Sequence, residues 1–195
     1  AYTQKDWAYI VAPTNRRRFG FDWQDWGRID AMEVLDDAIR RFNIDTNRIH
    51  LTGHSMGGHG TWAVGVYHFD RFATMAPSAG WTCFQLYIPW FLQKSEIYSH
   101  PKLLSIRDMS LREDVTLNFV CNTNNLPKFI IQGGSDDNVP PIQARLFVRE
   151  LYRLGYPVIY REFQGKGHWW NDESTPGTDC VDLKELMDFF KSHIR

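Results

Sequence analysis

The segment Arg48 to Gly60, RIHLTGHSMGGHG, constrains this chain more than any other. A short apolar strand pattern, Arg48 to Thr52, runs straight into Gly53-His54-Ser55-Met56-Gly57, which fits G-x-S-x-G. Helical spacing follows from Thr61 to Tyr67. Five such residues alone are common. A strand before and a helix after make them specific. A sharp strand-to-helix turn forces its central residue into strained torsions and lifts the Ser55 hydroxyl above the carboxyl end of a sheet. Gly53 and Gly57 are expected to leave room for the neighbouring chain there. The helix amino-terminus offers free N–H groups and partial positive charge to a developing oxyanion, with Met56 N–H as first donor. The plain alternative is a glycine-rich turn with an incidental serine.

Around this segment, strands alternate with helices. Trp7 to Ala12 (WAYIVA) reads as a buried strand ended by Pro13, and Ile29 to Phe42 as an amphipathic helix through Met32, Leu35, Ile39 and Phe42. Phe72 to Ala76, Lys128 to Gln132 and Val158 to Phe163 read as further strands. Pro141 to Leu154 and Val181 to Ile194 read as helices, the first with Gly155 just past its end. Such alternation predicts one α/β domain over residues 1–195, with a mostly parallel sheet between helical layers. Residues 81–127 break the pattern. They show no clear period, carry many aromatic residues, and are long enough to suggest a lid or binding insert.

A serine nucleophile needs a base, and the base needs an orienting acid. Beyond the strand KFIIQ lies GGSDDNVP, and beyond VIYREF lies GKGHWW. Both loops leave strands at the edge where Ser55 would stand. Asp136 and Asp137 are adjacent and cannot point the same way. Asp136, three before Val139, is the preferred acid, and Asp137 the turn or capping residue. His168, flanked by glycine, is the candidate base.

The formal charge of -1, from 22 Lys+Arg against 23 Asp+Glu, is not the footprint of a nucleic-acid binder. No run approaches the roughly 18 apolar residues of a membrane-spanning helix. The other histidines lack metal-ligand spacing, and no phosphate-binding glycine motif is present, so neither a metal nor another cofactor is expected. His54 and His59, beside the elbow, are expected to pack or hydrogen-bond locally. Cys83, Cys121 and Cys180 read as ordinary thiols, a Cys83–Cys121 pair being open only if the fold joins them. The chain starts at Ala1 without a signal-peptide core, as a processed product or fragment would, and its compartment stays open.

With these segments in place the sequence resembles the α/β-hydrolase superfamily. More narrowly it is similar to the catalytic domain of the prolyl oligopeptidase family and to esterases of the esterase D and feruloyl-esterase type. The carrying segments are IDTNRIHLTGHSMGGHGTW, FATMAPSAG, KFIIQGGSDDNVPP and YREFQGKGHWW. The elbow is nearer the esterases. The D-x-x-V and G-x-G-H segments are nearer the prolyl oligopeptidase pattern. The resemblance implies Ser55 as nucleophile, Asp136 as orienting acid and His168 as general base. It also implies a three-layer sheet of about eight strands, with WAYIVA as the fourth and the first three lacking. The loop after the third strand would supply the second oxyanion N–H, and nothing here matches it. Either the chain is the carboxyl-terminal part of a longer domain, the favoured expectation, or it is a minimal hydrolase in which WAYIVA pairs directly with the strand before Ser55.

The insert at 81–127, with Trp81, and the loop at 16–26 are expected to wall the substrate site. Trp169 and Trp170 either line it or pack the histidine loop. Arg16, Arg17 and Arg18 read as a solvated cluster, the alternative being contact with an anionic group of the substrate. The expected activity is acyl transfer to water from a small ester or peptide, by peptidase or carboxylesterase, with no nucleic-acid or membrane partner. The competing expectation is a non-catalytic binding module with the same fold.

Overall fold

A computed structural model describes residues 1–15, 22–83, 87, 100–172 and 177–195. The Arg16–Arg18 cluster and most of the aromatic run at 84–99 lie outside the described residues. Four strands form one sheet in the order β1-β2-β3-β4: β1 His50–His54, β2 Thr74–Ser78, β3 Phe129–Gly133 and β4 Ile159–Phe163. All pairings are parallel. Register runs from His50 opposite Thr74 to His54 opposite Ser78, and from Phe129 opposite Ile159 to Gly133 opposite Phe163. The strands therefore end together at one edge.

Helices α1 (Trp26–Arg41), α2 (Met56–Gly65), α3 (Pro101–Ser110), α4 (Ile142–Arg153), α5 (Asp179–Asp182) and α6 (Lys184–Ser192) complete the order. β3 shows why two layers are needed. Ile130 packs with Met75, Trp62 and Phe147 on one face, while Phe129 and Ile131 pack with Ala76, Leu186 and Phe189 on the other. Alternate residues of one strand thus feed opposite cores. Trp62 of α2 stacks on Phe147 of α4 at 3.8 Å between ring centroids. Lys128, just before β3, is buried, and its Nζ donates to the carbonyls of Thr123 and Leu126 at 2.6 and 2.7 Å.

Two expectations are corrected. Residues 7–12 are not a buried strand: none pairs with the sheet, and Tyr9 and Ile10 are 62% and 51% exposed. Tyr9 leans on Phe42, and the Lys191 ammonium lies over the Trp7 ring. An apolar run becomes a strand only with a ladder partner, and β1, at the end of the sheet order, has only β2. Direct pairing between residues 7–12 and the strand before Ser55 is therefore not observed. The closing helix is broken at Leu183, whose backbone is extended, giving α5 and α6. Of the insert at 81–127, residues 81–83, 87 and 100–127 are described. It holds α3, begun by Pro101 and capped by the His100 side chain accepting from Lys102 N–H. It also holds a 3-10 stretch, Thr116–Thr123, whose Thr116, Val120 and Thr123 are buried.

The helix α2 sits hard against the end of β2. A Cβ on Gly58 would lie 2.2 Å from the Ser78 carbonyl oxygen, backbone that cannot swing aside. A Cβ on Gly57 would meet nothing within 4 Å. Gly58→Ala should therefore cost about 3 kcal/mol or more through forced backbone movement. Gly57→Ala should be neutral or gain up to about 1 kcal/mol from helix propensity. Thermal denaturation of the two variants checks this, and equal effects would contradict the packing described.

Candidate active site

β1 delivers the elbow. Ser55, between β1 and α2, has φ 59° and ψ −118°, a conformation that side-chain-bearing residues rarely hold. It is fixed from both sides: Ser55 N–H donates to the Ser78 carbonyl, and the Ser55 carbonyl accepts from His59 N–H, each at 3.0 Å. Gly53 is needed for the turn to close, because a Cβ there would lie 2.3 Å from the Gly57 carbonyl oxygen. The crowding expected at Gly57 thus falls on its partners, Gly53 and Gly58. Met56 opens α2, and its N–H is among the amide groups a helix start leaves without an intrahelical partner.

The acid and histidine loops leave β3 and β4 side by side. Gly134 N–H donates to the Phe163 carbonyl and Ser135 N–H to the Lys166 carbonyl, both at 2.8 Å. The His168 Nδ1 lies 2.8 Å from Asp136 Oδ2, and its Nε2 lies 2.9 Å from Ser55 Oγ. A carboxylate only accepts, so Nδ1 carries the hydrogen and Nε2 is left to accept the Ser55 hydroxyl proton. The structure thus brings Ser55, His168 and Asp136 into one line.

Asp136 is buried, and its Oδ1 accepts from the N–H groups of Asn138 (3.0 Å) and Val139 (2.8 Å). Burial alone would push its carboxyl up. The His168 hydrogen bond, the Val139 N–H, the His168 charge and the Asn138 N–H together outweigh it, and the carboxyl sits below its ordinary value. Asp137, the residue set aside, is exposed.

Two further histidines frame the site. Ser78 Oγ donates its one hydrogen to the Cys180 carbonyl at 2.7 Å, so the His54 Nδ1, 3.0 Å away, is the donor to Ser78. The His54 ring lies 4.7 Å from the His168 ring and 4.0 Å from that of Trp169. Burial, helped by the His168 charge, pushes His54 down to about 4, so it stays neutral at pH 7. The buried His59 stacks on Trp81 and has its Nδ1 2.9 Å from the Trp81 carbonyl and its Nε2 3.3 Å from Asp22 Oδ1. Both histidines pack and hydrogen-bond locally.

The three tryptophans expected at the substrate wall separate. Trp169 is 56% exposed beside His168. Trp170 is only 7% exposed and packs with Phe163, Phe129 and Leu186 in the core, so it does not line the site. Trp81 is 4% exposed, donates from Nε1 to Asp22 Oδ2 at 3.1 Å, and lies between His59 and Tyr87. Its faces are already occupied, so it supports the site from behind. Asp22 and Gln132 were not singled out by sequence reasoning. Gln132 is buried and donates from Nε2 to Asp136 Oδ2 at 3.1 Å. Its signal was a polar residue closing an apolar strand run. Asp22, in an irregular polar loop, gave none. Among the described residues no group of three His, Cys, Asp or Glu side chains gathers as a metal site.

Residues 14–195 match the profile of the prolyl oligopeptidase family. The chain belongs to that family. A curated relative, an uncharacterized secreted protein of Arthroderma benhamiae, is 31% identical over 186 residues, covering 90% of this chain and 19% of the relative. Solved structures of low identity share the α/β-hydrolase fold. A thermostable esterase is 20% identical with a TM-score of 0.58, over 86% of this chain and 36% of that one. A puromycin-hydrolyzing peptidase of Mycobacterium tuberculosis is 22% identical with a TM-score of 0.62, over 75% and 22%. An acylaminoacyl peptidase of Pyrococcus horikoshii is 22% identical with a TM-score of 0.61, over 73% and 23%. The family domain here thus spans about a fifth of that relative's length (19%) and about a third or less of these solved chains (22–36%).

The site predicts two stability differences. Ser55→Gly and Ser55→Ala both remove the hydroxyl, but only glycine accepts φ 59° without strain. Ser55→Gly should be more stable than Ser55→Ala by about 1 kcal/mol in denaturant titration. Trp170→Ala should lose about 3–5 kcal/mol by emptying core volume. Trp169→Ala should lose under about 1 kcal/mol, as exposed side chains do.

Proposed function

We propose that this chain carries the catalytic triad of a serine hydrolase acting on acyl substrates, esters or peptides. The observation that carries the reading is the aligned pair of contacts, Ser55 Oγ to His168 Nε2 at 2.9 Å and His168 Nδ1 to Asp136 Oδ2 at 2.8 Å. Membership of the prolyl oligopeptidase family supports it.

Ser55 Oγ attacks the substrate carbonyl carbon as its proton passes to His168 Nε2. Asp136 orients the ring and stabilises the imidazolium that forms. The tetrahedral oxyanion faces Met56 N–H at the start of α2. Collapse breaks the bond to the leaving group, which takes the proton from His168. Water then attacks the acyl-enzyme with His168 as base, restoring the Ser55 hydroxyl and releasing the acid. The second oxyanion N–H is proposed to come from a segment of the domain beyond these 195 residues, in keeping with the partial cover of the esterase and peptidase chains.

A fluorophosphonate probe tests the reading on the longest available form of the protein. Labelling is expected at Ser55 and should vanish in Ser55→Ala. Asp136→Asn should keep the fold and lower kcat by about 10⁴ through the wrong imidazole tautomer. No labelling of the unaltered protein would favour a binding module. Parallel turnover of p-nitrophenyl esters and aminoacyl anilides assigns esterase or peptidase.

A further inference from the structure

We infer that Gln132 is a positioning residue for the acid of the triad, setting how strongly Asp136 holds the His168 imidazolium. This rests on the triad reading above. Gln132 is the fourth residue of β3 and is fully buried. Its Nε2 faces three acceptors: the Gly133 carbonyl at 3.3 Å, Asp136 Oδ2 at 3.1 Å and the Val139 carbonyl at 3.0 Å. A reversed amide would point oxygen at all three, so the orientation follows from the surroundings. With two hydrogens, Nε2 serves the nearer pair of acceptors, Asp136 Oδ2 and the Val139 carbonyl, and so ties the carboxylate to the end of its loop.

The two oxygens of Asp136 are held differently. Oδ1 is pinned by two backbone amides, Asn138 and Val139, which no side-chain change removes. Oδ2 is shared between Gln132 Nε2 and His168 Nδ1. A second donor on Oδ2 fixes its direction toward the ring and draws off part of its negative charge. The rest of that charge is what stabilises the imidazolium. Stability alone does not explain the side chain. Its Oε1 is buried without a hydrogen-bond partner among the described residues, an arrangement that opposes folding.

Removing the donor has a signed consequence. With Oδ1 still pinned, Asp136 stays in place and offers more negative charge to His168. The protonated form of the base persists to higher pH, and the acid limb of the rate profile moves up. A side chain that merely fills space would not do this.

The test compares Gln132→Met and Gln132→Glu with the parent protein, reading kcat and KM on a p-nitrophenyl ester from pH 5 to 10, with thermal denaturation as a check on folding. Gln132→Met, equal in length but without a donor, should keep the plateau kcat and KM within about threefold of the parent, since Asp136 stays pinned through Oδ1. Its acid limb should move up by about half a pH unit. Gln132→Glu donates only while protonated and repels Asp136 once ionised, so its profile should gain an alkaline fall that the parent lacks. If Gln132→Met does not fold, Gln132→Glu carries the test alone. An acid limb that stays put or moves down in Gln132→Met, or a Gln132→Glu profile parallel to the parent, overturns the inference. The triad reading fails separately, if Ser55→Ala keeps fluorophosphonate labelling.

Discussion

The contact between the elbow and the end of β2 governs the rest of the structure. Ser55 N–H meets the Ser78 carbonyl, and Gly58 rests against the same oxygen. The first contact holds Ser55 in a conformation it would otherwise leave. The second brings α2 close enough for Trp62 to reach Phe147 across the core. Strain at one residue survives only when its surroundings over-determine it. Here β1, β2 and α2 all do so. The same packing that stabilises the domain keeps the Ser55 hydroxyl within 2.9 Å of His168 Nε2.

The acid is treated in the opposite way. Asp136 is buried, which alone would favour its neutral form. Two backbone amides, the His168 ring and the Gln132 amide supply the donors that hold it ionised. The His168 donor depends on β3 and β4 ending in register, since the amides after β3 donate directly to the carbonyls of Phe163 and Lys166. Sheet register thus sets the chemistry at the sheet edge.

Much of this was legible in the sequence because Ser55, Asp136 and His168 each lie on the segment that leaves a short strand. The strand pattern located the edge, and the G-x-S-x-G, D-x-x-V and G-x-G-H spacings located the residues on it. Pairing was not legible. WAYIVA has the composition of a buried strand, yet hydrophobicity does not say whether a ladder partner stands beside it. Trp169 and Trp170 are adjacent and chemically identical, so only the turn of the loop decides which one faces the core. Gln132 was overlooked because a buried polar residue gains its meaning from acceptors that the following loop folds back onto it, here Asp136 and Val139. The helix α3 was missed because its apolar residues, Leu103, Leu104, Ile106 and Met109, spread around the helix instead of forming one narrow buried stripe.

The neutrality of His54 belongs to the same logic. Its ring lies 4.7 Å from His168, where a second positive charge would oppose the imidazolium. The hydrogen bond to Ser78 keeps a hydrogen on Nδ1, while burial, helped by the His168 charge, excludes the second proton down to about pH 4. Its stability cost has a definite sign. Between 6.5, the ordinary histidine value, and about 4, the unfolded chain binds a proton that the folded chain refuses. In that window folding weakens as pH falls. The arrangement gives up acid stability at one imidazole and keeps that imidazole from placing a second positive charge beside His168.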